Sequence, residues 1–184
     1  VGSPVMGTGG ALSFGLQTTA GIYTVTATDL STGCMNTMPG SKTVAIYALP
    51  TAYTMTGGGN YCAGGTGVTV GLSGSQTGTS YQLYLAGLPV VGAMVTGTGS
   101  AISFGLRTAA GTYTAVATIV GPSACTNNMT GSSTVAIDPL PTIYAVTGGG
   151  GYCAGGSGSA VGLAGSDAGV DYQLYRGTTA VGTP

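Results

Sequence analysis

The chain has 184 residues, which is enough for one or two domains. Hydrophobic residues make up 43% and charged residues only 4%, with no His and a net charge of −1 at pH 7. This balance excludes nucleic-acid or anionic-membrane binding that depends on basic patches. No apolar run approaches the roughly 18 residues of a transmembrane helix, so we expect no membrane insertion.

The sequence repeats with a period of about 90 residues. Tyr61–Gly65 (YCAGG) returns as Tyr152–Gly156, 91 residues later, and Ser13–Leu16 (SFGL) returns as Ser103–Leu106, 90 residues later. A unit of this length can bury its own core, unlike the 20 to 45 residues of a solenoid repeat. The pattern therefore predicts separate domains in tandem, and long tandem arrays serve mechanical or spatial roles far more often than chemistry.

One complete unit begins near Leu49. Alternating apolar residues, β-branched side chains and Gly-rich punctuation predict seven short strands and no amphipathic helix. In chain order the predicted strands are Ala52–Thr56, Val68–Leu72, Tyr81–Tyr84, Val90–Val95, Ile102–Leu106, Gly111–Thr118 and Thr134–Ile137. The glycine-rich stretch Gly57–Asn60 lies between the first two predicted strands and is expected to end the first of them. Seven strands with turns every 8 to 15 residues are typical of an antiparallel β-sandwich of immunoglobulin-like type.

Proline-containing stretches at Ala48–Thr51 and Pro139–Thr142 predict short, semi-rigid joints. The predicted units are the C-terminal half of one repeat (1–48), a complete repeat (49–138) and the N-terminal half of the next (139–184). Within a unit, Gly111–Tyr113 and its counterpart Gly21–Tyr23 suit a tyrosine corner, where the ring packs inside and its hydroxyl returns to the backbone. Leu83 occupies the core position that often holds Trp.

Several motifs carry a family resemblance. They are Leu-Pro-Thr at a boundary, YCAGG before the second strand, Tyr81–Tyr84 (YQLY), Gly-x-Tyr-Thr, and a Cys soon after. At these residues the whole chain resembles the tandem Ig-like and PKD-like repeats of very large secreted Bacteroidetes surface proteins, some linked to gliding motility and adhesion. The resemblance implies export to the cell surface, with any sorting domain outside these residues. Leu83 and the scarcity of charge depart from the family pattern.

The four cysteines recur in phase, Cys34 with Cys125 and Cys62 with Cys153. Recurrent cysteines in small β-rich units predict disulfides and an oxidising compartment. The absence of His and of any C-x-x-C motif argues against a metal site. The family habit of two cysteines per domain implies a Cys62–Cys125 bond within the unit. Alternatively, stacking of units end to end allows a disulfide between neighbouring domains or chains. The pairings Cys34–Cys62 and Cys125–Cys153 are less favoured.

Threonines and one asparagine are candidates for glycosylation. Thr24, Thr26 and Thr28 alternate with apolar residues and predict one outward row, which suits O-linked sugar, ice binding or a plain exposed strand face. Asn128 begins an N-glycosylation triplet in a predicted loop. Neither the glycine runs, which lack a P-loop Lys, nor the two carboxylates Asp167 and Asp171 predict a ligand site.

Catalysis has no candidate residues. Without His or Glu, no Ser, Thr or Cys has an activating base beside it, so we expect no enzyme activity, no cofactor and no metal. The sequence favours a structural repeat of a large extracellular fibre or bacterial cell-surface adhesin, whose partners are copies of itself or neighbouring repeats, and glycans. The alternative is a carbohydrate- or ice-binding surface module. A 184-residue protomer whose two ends complete a domain with its neighbours is a further possibility to test.

Overall fold

The computed structural model describes residues 3–182, and over these residues the chain is all-β. They contain no helix, and so none long and apolar enough to cross a membrane. The N-terminal segment, residues 3–48, has β1 (Gly21–Tyr23), β2 (Thr26–Thr28), β3 (Met35–Thr37) and β4 (Lys42–Val44). The middle module, residues 49–138, has β5 (Met55–Gly57), β6 (Gly59–Cys62), β7 (Val68–Leu72), β8 (Thr79–Leu85), β9 (Leu88–Thr96), β10 (Ile102–Arg107), β11 (Gly111–Ile119), β12 (Thr126–Asn128) and β13 (Ser133–Asp138). The C-terminal segment, residues 139–182, has β14 (Val146–Gly148), β15 (Val161–Leu163), β16 (Leu174–Arg176) and β17 (Thr179–Val181).

The middle module consists of two sheets that share one core. One sheet has the order β10-β7-β5, and the other has the order β6-β13-β11-β8-β9 with β12 beside β11. Every pairing between these strands is antiparallel except that of β6 with β13. Alternation puts Tyr81 and Leu83 of β8 inside, where they are fully buried, with Gln82 and Tyr84 on the other face.

The core lies entirely within the middle module. Its buried apolar residues are Met55, Val70, Leu72, Tyr81, Leu83, Ala93, Ile102, Phe104, Tyr113, Ala115, Ala117, Met129 and Val135. They come from both sheets and from both halves of the module's sequence. The prediction that Leu83 fills a central core position is confirmed, since none of its surface is exposed.

All seven predicted strands are present, with Val68–Leu72 at the predicted bounds, and the first strand, β5, ends at Gly57 as predicted. The sequence did not predict that a further strand follows at once; the glycine-rich stretch was expected only to end a strand. The chain instead crosses from one sheet to the other there, and Gly59 begins β6. Gly57 and Gly58 make the crossing with φ of +78° and +85°. A Cβ at Gly57 would stand 2.1 Å from the Thr69 carbonyl oxygen, so only glycine fits.

The module has an upstream and a downstream end. The chain comes in at Pro50, whose carbonyl accepts a 2.7 Å hydrogen bond from the Asn127 side chain near the Ile119 end of β11. It leaves at Asp138, beyond the opposite end of β11, because β13 runs antiparallel to that strand. Eleven residues of strand separate the Ile119 end of β11 from the position beside Asp138, which corresponds to about 35 Å at the usual rise. Successive joints are therefore at opposite ends of the module.

Candidate interaction surfaces

The outer face of the six-stranded sheet is a broad regular surface of the module. It consists of the side chains of β8, β11 and β13 that point away from the core, which are Ser80, Gln82, Tyr84, Thr112, Thr114, Val116, Thr118, Thr134 and Ala136. Register places Tyr84 opposite Thr114 and Gln82 opposite Val116. The Gln82 amide is held in place by bonds of 2.8 Å to the Leu83 and Val90 carbonyl oxygens.

Except for Asp138 at its downstream end, this outer face carries no charge. The middle module has only two charged side chains, Arg107 on β10 of the other sheet and Asp138 at the downstream end. Two such faces can therefore approach each other without repulsion and without much sensitivity to salt. Small β-branched side chains also leave the face flat, which suits contact with another regular surface.

The predicted threonine row is divided in this structure. Thr26 and Thr28 lie on β2 and point to the same side, whereas Thr24 lies in the gap between β1 and β2. All three are exposed, as a glycosylation site requires. Asn128 is also exposed, but the prediction that it lies in a loop is wrong, because it belongs to β12 and pairs with Val116. Glycosylation of any of these residues stays a prediction.

The tyrosine corner predicted at Tyr113 is present. The ring is 1% exposed, and its hydroxyl donates a 2.8 Å hydrogen bond to the Ala109 carbonyl oxygen. Tyr23 makes the matching bond to Thr19 at 2.7 Å. Burial raises the pKa of Tyr113, and the positive charge of Arg107 opposes that rise. These hydroxyl groups anchor local turns, and nothing beside them suggests an acid or base role.

The four cysteine thiols are unpaired in this structure. Cys62 ends β6 beside Asp138, at the downstream end, and the next amide, Ala63, donates to the Asp138 carbonyl at 2.8 Å. Cys125 directly precedes β12, and its carbonyl accepts a bond from the Ile119 amide at the upstream end. The two are separated by the length of β11, far beyond the 7 Å that a disulfide allows between Cα atoms. A Cys62–Cys125 bond within the module does not fit this fold.

Asp167 is a structural turn residue in this structure. Its two carboxylate oxygens accept bonds from the Thr142 amide at 2.7 Å and the Tyr144 hydroxyl at 2.8 Å. These bonds, that from Thr142 first, lower the pKa of Asp167. Nothing brings Asp171 into this group. Across residues 3–182 no three His, Cys, Asp or Glu side chains gather as a metal site would require.

Arg107 lines a cleft that the sequence did not single out. The cleft has a volume of about 220 Å³ and also includes Leu85, Val90, Leu106 and Tyr113. One Arg107 terminal nitrogen donates to the Phe104 carbonyl, while its buried Nε has no partner. The matching residue of the N-terminal segment is Gln17, so this guanidinium does not recur from repeat to repeat. The cleft is therefore not a repeated binding site.

No family model and no curated protein matches the chain. Among solved structures, the chain matches a Ca²⁺-stabilized adhesin that helps an Antarctic bacterium reach out and bind ice. The identity is 23% and the TM-score 0.38, over 69% of this chain and 34% of the other. The chain thus spans about a third of the adhesin it matches. The resemblance to Bacteroidetes surface repeats stays a prediction.

Proposed function

We propose that this chain is a run of non-enzymatic spacer modules from a large extracellular fibre or bacterial cell-surface adhesin. The observation that carries the proposal is the position of the two joints. The chain comes in at Pro50 and leaves beyond Asp138, at opposite ends of the module. Repeats joined in this way add length with each unit, so an array gains reach.

The module's topology favours an immunoglobulin-like sandwich. β5, β7 and β10 correspond to strands A, B and E, and β13, β11, β8 and β9 correspond to G, F, C and C′. A first strand that pairs antiparallel with B and then crosses to pair parallel with G supports this assignment. The tyrosine corner at Tyr113 supports it as well.

The outer face, with Asp138 as its one charged side chain, supports assembly with further copies. A solitary, soluble stalk gains from surface charge, which keeps molecules apart. A module whose only charged side chains are Arg107 and Asp138 lacks that protection. Lateral packing of outer faces in a fibre, or a cover of glycan, accounts for such a surface, and either supports the proposal of an extracellular location.

Small-angle scattering of polypeptides with two, four and six tandem copies of residues 49–138 tests the spacer role. Each copy keeps a complete core. We expect the maximum dimension to grow by about 35 Å per added module, because each joint continues from the opposite end. A dimension that grows only as the cube root of mass would mean that modules fold back on one another, and would refute a spacer.

A carbohydrate- or ice-binding role is the second candidate, and the flat outer face with Tyr84 is the observation that favours it. An aromatic ring among threonines can stack on a sugar. A glycan array and an ice-recrystallisation assay on the two-copy polypeptide separate the functions. The spacer role predicts no signal in either assay, whereas a signal abolished by Tyr84→Ala and retained by Thr77→Ala, an exposed residue away from this face, would establish the binding module.

A further inference from the structure

The stretch of chain that follows the upstream joint is bound directly to the strand that precedes the downstream joint. From Pro50 the chain passes along β5 and β6 toward the downstream end, and β13 runs in the same direction beside β6. The parallel register pairs Gly59 with Val135 and Cys62 with Asp138. All other strand pairings of the module are antiparallel, so this ladder is the only one that joins the two ends of the module's chain side by side.

Hydrogen bonds continue this contact on both sides of the ladder. At the downstream side the Ala63 amide donates to the Asp138 carbonyl oxygen at 2.8 Å, and the Asn60 side chain donates to the Asp138 carboxylate at 3.0 Å. At the upstream side the Met55 amide donates to the Thr130 carbonyl oxygen at 2.9 Å. The two parts of the chain are therefore joined by a row of hydrogen bonds rather than by a single one.

Glycine allows β6 to come this close to β13. A Cβ at Gly58 would stand 2.6 Å from the Thr134 carbonyl oxygen, and the φ of Gly58 is +85°. Both sides of the ladder recur in the sequence. Gly149 takes the place of Gly58 in the following repeat with a φ of +78°, and residues 43–46 (TVAI) take the place of residues 134–137 in the preceding one. The sequence features that build the ladder therefore belong to the repeat.

Tension along an array acts lengthwise on these strands. Each joint, 48–50 and 139–141, is three residues long, and the two lead into the module at opposite ends of β11. A pull on the upstream joint draws β5 and β6 upstream along their own axis, and a pull on the downstream joint draws β13 downstream. Because β6 and β13 then have to slide past each other, the hydrogen bonds between them are loaded together rather than one after another.

No disulfide shares this load within residues 49–138. Cys62 and Cys125 are unpaired in this structure and lie at opposite ends of the module. If the ladder failed, the roughly 90 residues of the module would extend to about 300 Å, against about 35 Å when folded. A spacer that unfolded in this way would lengthen instead of transmitting the pull.

We propose that the β6–β13 ladder is a mechanical clamp, which lets each module carry tension between its two joints without unfolding. The proposal deepens the spacer role and rests on it for the direction of the load. Forced unfolding begins with sliding of β6 along β13 while the core is still packed. Resistance to force and resistance to urea therefore depend on different residues, and single substitutions can separate them.

Force-clamp measurements on six tandem copies of residues 49–138 under reducing conditions test the clamp. We expect the copies to unfold one at a time, each step adding about 270 Å of contour length. Small-angle scattering of the same polypeptide, without force, tests the spacer role separately. Arrays that are compact in scattering but unfold in such steps would refute the spacer and support the clamp, whereas smooth lengthening without steps would overturn the clamp.

Ala63→Pro removes one bond of the clamp and little else. Cys62 to Gly65 form a turn closed by the Gly65 amide, which donates to the Cys62 carbonyl oxygen at 2.9 Å, and Gly64 has a φ of +81°. Proline is favoured at the second position of such a turn, which Ala63 occupies, so the turn should be kept while the bond to Asp138 is lost. We expect the rate of unfolding at a fixed force to rise about 5- to 10-fold, with little change in the urea midpoint.

Leu83→Val is the matched control. Leu83 is fully buried on β8, which pairs with β11 and β9 and not with either strand of the clamp. This variant should lower the urea midpoint and leave the rate of unfolding at the same force within about twofold of that of the unaltered module. A rate for Ala63→Pro equal to that of the unaltered module, or a larger increase for Leu83→Val than for Ala63→Pro, would overturn the clamp.

Discussion

Gly57 allows the first part of the module to belong to both sheets. Its φ is +78°, and a Cβ there would overlap the Thr69 carbonyl oxygen. We expect Gly57→Ala to lower the free energy of unfolding by at least about 2 kcal/mol, from backbone strain together with displacement of β7. Urea denaturation followed by circular dichroism measures the loss.

Gly78→Ala is the control for that substitution. Gly78 also has a positive φ, +71°, but a Cβ there would have no neighbour within 4 Å. Gly78→Ala has the backbone strain of a positive φ without any steric overlap, so it should lower the free energy of unfolding by about 1 kcal/mol. If the two variants were equally stable, close contact with Thr69 would not be the reason for glycine at position 57.

The buried phenols of Tyr81 and Tyr113 make the module sensitive to alkali. Burial raises the pKa of both above the value of about 10 that they have in the unfolded chain. Above pH 10 the unfolded chain therefore loses protons that the folded chain retains, and this favours unfolding. The contribution of the two neutral phenols to the stability of the fold is fully present below about pH 10 and is lost as pH rises through their folded-state pKa.

Urea denaturation between pH 7 and pH 11.5 checks this dependence. We expect stability to change little up to pH 9 and to fall above pH 10. Tyr113→Phe should cost about 1 kcal/mol at pH 7 through the lost bond to Ala109, and should make the alkaline fall shallower. A wild-type profile that stays flat to pH 11.5 would show that these phenols are not protected by the fold.

At the scale of elements, the strands that the sequence predicted are those with their own alternation. Val68–Leu72 has apolar residues at every second position and was located to the residue. β6 was missed because Gly59–Cys62 has no β-branched residue and becomes a strand only through its parallel pairing with β13. β12 was missed because Thr126–Asn128 is held by β11 and by the Asn127 bond to Pro50. Pairing with strands distant in sequence decides whether β6 and β12 form, and no local sequence pattern encodes that pairing.

The same dependence on strands distant in sequence explains which surface features the sequence predicted. The tyrosine corner follows from a local motif and was predicted, whereas the outer face with its single charge follows from register between strands distant in sequence.

At the scale of the whole molecule, the cysteines are placed beside the joints. Cys62 is next to Asp138, which precedes the downstream joint, and Cys125 is two residues from Asn127, which binds Pro50 of the upstream joint. A three-residue joint spans at most about 11 Å, so cysteines on its two sides come close. In two tandem copies of residues 49–138, Cys62 of the first copy therefore lies opposite Cys125 of the second.

We therefore expect oxidised glutathione to link the two copies through one specific disulfide. The bond removes two protons and two electrons from a thiol pair and converts one oxidised glutathione to two reduced ones. Peptide mapping should find Cys62 joined to Cys125 in the two-copy polypeptide and not in a dilute single copy of residues 49–138. Cys62→Ser in the first copy should abolish the link, and the same substitution in the second copy should leave it. A Cys62–Cys125 link in the single copy would contradict the separation of the two ends, because that bond requires the Cα atoms to lie within about 7 Å.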